Sequence, residues 1–211
     1  MHSELILETL EGIGLLSNCY ILLAAPTKEA IIIDPSAQPR RIFQIIEQGP
    51  YKVKYLLNTH GHADHIKYNA AVKKRFRVPL YIHQLDEEML QSPVKNFSSF
   101  WGMPIVSPSA DFFLKDGQKL KFSNWEVEVI HTPGHTPGGV SFQVGNWLFT
   151  GDTLFAGGVG RVDLPGSSLA SLKDSLSKLL SLDPSLYIYP GHGPPSTIAE
   201  ERQNFLPGFF T

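Results

Sequence analysis

The sequence predicts an α+β protein built as an αββα four-layer sandwich, two β-sheets packed face to face with helices on their outer sides. Three observations lead there. Strand-like apolar runs followed by helical repeats occur twice, once in each half of the chain. Glycine, proline, asparagine and aspartate punctuate the strand runs at the spacing of tight turns, which suits mostly antiparallel pairing. Nothing in the 211 residues reads as a linker, a low-complexity segment or a short repeat. A single domain over residues 1–211, large enough to bury a sizeable core, is therefore expected.

Taken in order, Glu4–Leu10, Cys19–Ala24 and Ala30–Ile33 read as three strands, separated by Gly12 and Gly14 and by Pro26–Glu29. Arg40 to Gln48 places Ile42, Phe43, Ile45 and Ile46 at helical spacing and stops at Gly49–Pro50, as a helix should. A strand over Val53–Leu57 follows, then a helix over His65–Phe76, a strand over Pro79–Ile82 and a short helix over Asp86–Leu90. Ser92 to Ala110 is aperiodic and holds three prolines, so it is expected to be a lid or a covering loop. Its Phe97, Phe100 and Trp101 could line an entrance, although pinning the loop to the core is the commoner use of such residues. The second half predicts strands at Lys119–Phe122, Glu126–Ile130, Gly139–Val144 and Trp147–Thr150, and a leucine-rich helix at Leu169–Leu180. A strand at Leu186–Tyr189 and a helix around Ile198–Asn204 complete the reading.

Composition narrows the function. Hydrophobic content of 42%, charged content of 18% and a formal net charge of −2 are those of an ordinary soluble protein. No basic stretch exceeds Lys73–Arg75, which argues against a nucleic-acid partner. No apolar run approaches the ~20 residues of a membrane helix. The N-terminus has no export-signal pattern, so a cytoplasmic location is expected. The single cysteine, Cys19, sits in an apolar run and reads as a buried small hydrophobe.

The chemistry is concentrated in Asn58–His65. His60, His62, Asp64 and His65 place four candidate metal ligands within six residues, directly after an apolar strand. Imidazoles mixed with a carboxylate suit zinc, iron or manganese, whereas calcium and magnesium prefer all-oxygen sites. Three more candidates stand in similar places. His135 lies in Thr132–Gly138 after one strand, Asp152 follows another through Gly151, and His192 lies in Pro190–Gly193 after a third. Each is flanked by glycine or proline, which lets the backbone approach closely and holds it still. His83 and His131 fall outside this pattern and read as structural, with His131 near enough to the His135 loop for a supporting hydrogen bond.

The order His-x-His-x-Asp-His, then His, Asp and His, resembles the metallo-β-lactamase superfamily. The likeness runs from Asn18–Tyr20 and Ile33–Asp34 to Pro190–Gly193 and Glu200–Asn204. It implies a dinuclear centre of two divalent ions, zinc first, with iron or manganese as the alternatives. One ion would take His60, His62 and His135, the other Asp64, His65 and His192, with Asp152 bridging. Thr132–Gly138, Gly151–Phe155 and Gly160–Gly166 resemble glyoxalase II and its single-domain bacterial relatives, and the last stretch resembles the persulfide dioxygenases more loosely. The resemblance implies hydrolysis of a small thioester, a 2-hydroxyacyl-glutathione or a related thiol ester, with Asp64 orienting the attacking water or taking its proton. Arg161 stands where glyoxalase II has a lysine for the glycine carboxylate of glutathione, and so is expected to bind a substrate carboxylate. An ion pair with Asp163 is the competing use. Asp163 replaces a tyrosine of that enzyme, Gly193 follows His192 in place of an acidic residue, and no separate helical thiol-binding domain is expected. A mononuclear iron persulfide dioxygenase and a lactonase or β-lactamase are the other functional readings.

Overall fold

The structure, a computed structural model, describes residues 5–205. The first strand, β1, spans Leu5–Leu10, so Glu4 of the expected strand lies outside the described residues. It is followed by β2 (Cys19–Ala24), β3 (Glu29–Ile33), α1 (Pro39–Glu47), β4 (Lys52–Leu57), α2 (Ala63–Ile66), α3 (Asn69–Phe76), β5 (Leu80–His83), α4 (Glu87–Gln91) and β6 (Phe112–Leu114). These six strands form one sheet in sequence order. The second sheet takes β7 (Lys119–Phe122), β8 (Trp125–His131), β9 (Val140–Val144), β10 (Trp147–Gly151), β13 (Tyr187–Pro190) and β14 (Ser196–Thr197). A small hairpin of β11 (Leu154–Phe155) and β12 (Gly158–Val159) stands apart, with α5 (Leu169–Leu180) and α6 (Ile198–Phe205) completing the elements.

Three apolar layers account for the sandwich. Between the sheets, Leu22, Ile31, Ile33 and Leu57 meet Phe122, Val129, Phe142 and Phe149. On the outer side of the first sheet, Ile21, Ile32 and Leu56 pack with Ile42 and Ile46 of α1 and Val72 of α3. On the outer side of the second, Ile130, Leu148 and Ile188 pack with Leu172, Leu176 and Leu179 of α5. Strands β2 and β3 are buried on both faces, which is why they read as unbroken apolar runs rather than alternating ones.

The first sheet departs from the antiparallel expectation. β1, β2 and β3 pair antiparallel, but β3–β4, β4–β5 and β5–β6 are parallel. The intervening helices return the chain to the same end of the sheet before each new strand, which is what a parallel pairing requires. The expected helix over His65–Phe76 is also two helices. At the break, the N–H of Tyr68 donates to Pro35 O at 3.1 Å, and the carbonyl of Asp64 accepts from Ser17, so the helical ladder is interrupted. β6, the β11–β12 hairpin and β14 were not expected. They are two or three residues long, too short for a periodic signal.

Candidate metal centre

Strand direction brings the candidate ligands together. β3 and β4 run parallel in one sheet, and β10 and β13 run parallel in the other. β8 is antiparallel to β9, which is antiparallel to β10, so β8 ends on the same side as β10 and β13. The loops after β4, β8, β10 and β13 carry His60–His65, His135, Asp152 and His192, and they converge at one edge of the sandwich. The His192 turn is tied to the first sheet by Tyr20 Oη and Asn18 Nδ2, which donate to Pro190 O at 2.6 and 3.1 Å.

All seven expected residues meet there, in two groups. His60, His62 and His135 form one, and Asp64, His65, Asp152 and His192 form the other, each with its donor atoms within 4.8 Å of one another. In the first group, His62 Nδ1 lies 3.1 Å from His60 Nε2 and 2.9 Å from His135 Nε2. In the second, His65 Nε2 lies 3.2 Å from Asp152 Oδ1 and 3.5 Å from Asp64 Oδ2, which is 3.0 Å from His192 Nε2. Asp152 Oδ2 is 3.5 Å from His135 Nε2, so Asp152 reaches from one group to the other.

Hydrogen bonds behind the imidazoles fix which nitrogens face inward bare. His65 Nδ1 donates to Asp34 Oδ2 at 2.8 Å, and Thr59 Oγ1 donates to the same oxygen at 2.6 Å. With its own proton committed, Thr59 Oγ1 accepts from His60 Nδ1 at 3.1 Å. His135 Nδ1 donates to the backbone carbonyl of Arg161 at 2.9 Å. In the neutral rings the inward Nε2 atoms of His60, His65 and His135 are therefore the lone pairs, the state in which histidine ligates a metal.

The donors fit a pair of cations. His65 Nε2 and Asp152 Oδ1 are buried without hydrogen-bond partners, although they face each other. Burial works against a charge on His65, yet the carboxylates of Asp152, Asp64 and Asp34 hold its pKa well above the usual range. Burial also resists ionisation of Asp152, but His65, His135 and His192 keep its carboxyl below the ordinary range. Burial, followed by the neighbouring imidazoles, drives His60 well below its usual pKa. For His62, burial and then His135 lower the pKa to about 3. Carboxylates asking for positive charge, beside two imidazoles, His60 and His62, that refuse protons, describe a site suited to divalent ions with mixed nitrogen and oxygen donors.

Asp34, just past β3, enters the sequence reading only within the family likeness at Ile33–Asp34, with no role of its own. It is buried and holds φ of +48°, a conformation uncommon outside glycine and often found at functional sites. The carbonyl of Arg161 is a second unforeseen contributor, since a backbone atom leaves no mark on residue type.

A cavity of about 640 Å³ opens over the centre. His62, Asp64, His135, Asp152 and His192 reach it, whereas His60 and His65 lie behind. Phe97, Phe100 and Trp101 wall one side, so the aromatic residues of the covering loop face the cavity rather than pin the loop to the core. The Phe97 ring centroid is 5.1 Å from that of His62. Arg161 lines the rim with its guanidinium in a two-pronged contact to Asp163 at 2.6 and 2.7 Å. His83 and His131 stack on each other at 4.3 Å, and His131 Nε2 donates to Pro137 O at 3.0 Å, bracing the His135 loop. Cys19 is fully buried, and burial pushes its thiol up to about 12, which leaves it inert.

Residues 12–192 match the model of the Metallo-beta-lactamase superfamily. The chain belongs to this superfamily. Hydroxyacylglutathione hydrolase GloC of Haemophilus influenzae is 34% identical over 192 residues, covering 89% of this chain and 90% of that protein. The crystal structure of BLEG-1 B3 metallo-beta-lactamase superposes with a TM-score of 0.89 at 33% identity, covering 98% of this chain and 100% of the other. TTHA1623, solved in a di-iron-bound form, gives 0.81 at 32% identity, with 94% and 98% covered. Among the described residues no helix is long and apolar enough to cross a membrane.

Proposed function

We propose that this metallo-hydrolase is a thioester hydrolase of the glyoxalase II type, acting as a single domain on a small thioester such as a hydroxyacyl-glutathione. The observation that carries the reading is the seven-donor, two-group centre under an open cavity, in a chain similar over most of its length to a hydroxyacylglutathione hydrolase. His60, His62 and His135 would hold one ion and Asp64, His65 and His192 the other, with Asp152 between them. Zinc suits the donor set, and iron is supported by the likeness to a di-iron protein. Bound divalent ions would supply an acidified water and polarise the substrate carbonyl.

The chain's own residues do the rest. Asp64 lines the cavity beside His192 and is placed to orient a water and take its proton. The departing thiolate is a fair leaving group, so the site needs no strong acid. Arg161 is the candidate contact for a substrate carboxylate, which would have to replace Asp163 on the guanidinium. Because this pair is exposed to solvent, the exchange costs little.

The likeness to a B3 metallo-beta-lactamase favours a second reading, opening of a β-lactam ring by the same centre. Assaying the metal-loaded protein with S-lactoylglutathione and with a chromogenic cephalosporin, beside oxygen uptake on a persulfide, separates the three chemistries. Thioester cleavage with neither of the others is the expected result. Oxygen uptake or β-lactam cleavage without thioester cleavage overturns the proposal.

A further inference from the structure

The aromatic wall of the cavity is a built element. It comprises Phe97 and a single 3₁₀ turn, Ser98–Trp101, whose base is the fully buried Asn96. Asn96 Nδ2 donates to Met89 O at 2.9 Å and Ile105 O at 3.0 Å, and Oδ1 accepts from the N–H and hydroxyl of Ser98 at 3.0 and 2.6 Å. Its carbonyl accepts from the N–H of Ala63 at 3.0 Å, which ties the wall directly to the helix carrying Asp64 and His65. Phe97 is held at φ of +66°, a strained conformation for a bulky residue, and its ring stacks on Phe100 with centroids 6.0 Å apart. For all this scaffolding, Phe100 remains 77% exposed and Leu15, which also lines the cavity, 67% exposed. Two large apolar side chains, Leu15 and Phe100 (the latter with one face on Phe97), thus leave most of their surface uncovered by the described residues over the candidate metal centre.

The polar side of the cavity offers little to an anionic substrate. Arg161 is the one lysine or arginine among the described residues that line it, and its guanidinium already has both prongs on Asp163. Taking a substrate carboxylate exchanges one carboxylate for another, so the net gain is small.

We infer that the Phe97–Trp101 wall, which shares its cavity with Leu15 and Leu164, is a seat for an apolar substituent of the substrate. The site then reads the length of a hydrocarbon group on the thioester, and a carboxylate on the thiol, as in glutathione, adds little to binding. The inference rests on the thioester reading for the name of its ligand, but the seat can be tested without turnover.

The test is calorimetric titration of the metal-loaded chain with S-alkyl-N-acetylcysteamine thioethers from ethyl to hexyl, and with S-hexylglutathione. Affinity should rise about two- to fourfold per methylene as each is drawn out of water. S-hexylglutathione should bind within about threefold of its neutral counterpart. Phe100→Ala, at an exposed position that does not endanger folding, should flatten the chain-length series. A flat series in the parent protein, or at least tenfold tighter binding of the glutathione conjugate, overturns the inference. Hydrolysis of acetyl and hexanoyl N-acetylcysteamine thioesters is run beside it. A rising affinity series with neither ester cleaved upholds the seat and removes the thioester reading. Cleavage of both at equal kcat/KM with a flat affinity series does the reverse.

Discussion

Asp86 Oδ1 accepts the backbone N–H of Gly138 at 2.7 Å, one of three contacts by which a residue outside the candidate ligands joins both arms of the three-histidine group. The other oxygen accepts from Thr136 Oγ1 at 2.7 Å and from the N–H of Gly61 at 3.1 Å. Gly61 lies between His60 and His62, and Thr136 follows His135. Burial pushes the Asp86 carboxyl above its usual range, against the pull of these three donors. There is no room for a side chain at Gly138, because a Cβ there would lie 2.6 Å from Asp86 Oδ1.

Asp86→Ala should therefore loosen the first group without touching a ligand. Three donors would be left in a buried place with no acceptor, a loss on the order of 3 kcal/mol or more in stability. Metal affinity should fall about ten- to a hundredfold, as it does when supports behind ligands are removed. Thermal unfolding and competitive chelator titration read the two effects separately. A lower melting temperature with unchanged metal affinity would reduce Asp86 to a structural role.

Metal stoichiometry gives the next prediction. Two groups of donors should hold two ions per chain, countable by native mass spectrometry after loading with zinc or iron. His62→Ala should leave one ion, since the second group keeps all four of its residues. Asp152→Ala should weaken both, because this carboxylate reaches from His65 to His135. A parent chain that saturates at one ion would refute the paired centre and favour a mononuclear one.

Gly191→Ala isolates sterics from chemistry. Gly191 does not need a left-handed backbone, so alanine is conformationally acceptable there. Its Cβ, however, would fall 2.1 Å from Asp152 Oδ1 and 2.7 Å from His65 Cε1. Both side chains must shift, and the second group should lose at least about tenfold in metal affinity while far-ultraviolet circular dichroism stays that of the parent. Full retention of affinity would mean that the Pro190–Gly193 turn gives way instead.

The candidate ligands were legible because five of the seven are histidines, a scarce type in this chain, and all seven stand in loops just past strands. The supports were not. Asp34 and Asp86 are common acidic residues whose importance lies in what reaches them across the fold: Thr59 and His65 for one, Gly61, Thr136 and Gly138 for the other. The sandwich was legible from doubly buried runs such as Cys19–Ala24. The turn residues between β1, β2 and β3 signal antiparallel pairing and that pairing is found, but the helical connections into β4, β5 and β6 return the chain for parallel pairing, which the turn residues do not reveal. The Tyr68 break was invisible because Pro35 O, the acceptor that ends the helix, is far away in sequence.

Arg161 supplies the last prediction, since its backbone and its side chain do different work. The carbonyl orients His135, and alanine retains that carbonyl; the guanidinium holds Asp163 in solvent. Arg161→Ala should leave metal content unchanged and kcat for a neutral thioester within about twofold, because an exposed pair of this kind contributes little. With a glutathione thioester, KM should rise by no more than about fivefold, as the guanidinium gives up Asp163 to take the substrate carboxylate. Steady-state kinetics on both substrates decide it. A loss of fiftyfold or more confined to the glutathione ester would make Arg161 the substrate's principal anchor and turn the aromatic wall into a bystander. An equal loss on both esters would mean that the Arg161–Asp163 pair holds the loop that carries the His135 acceptor.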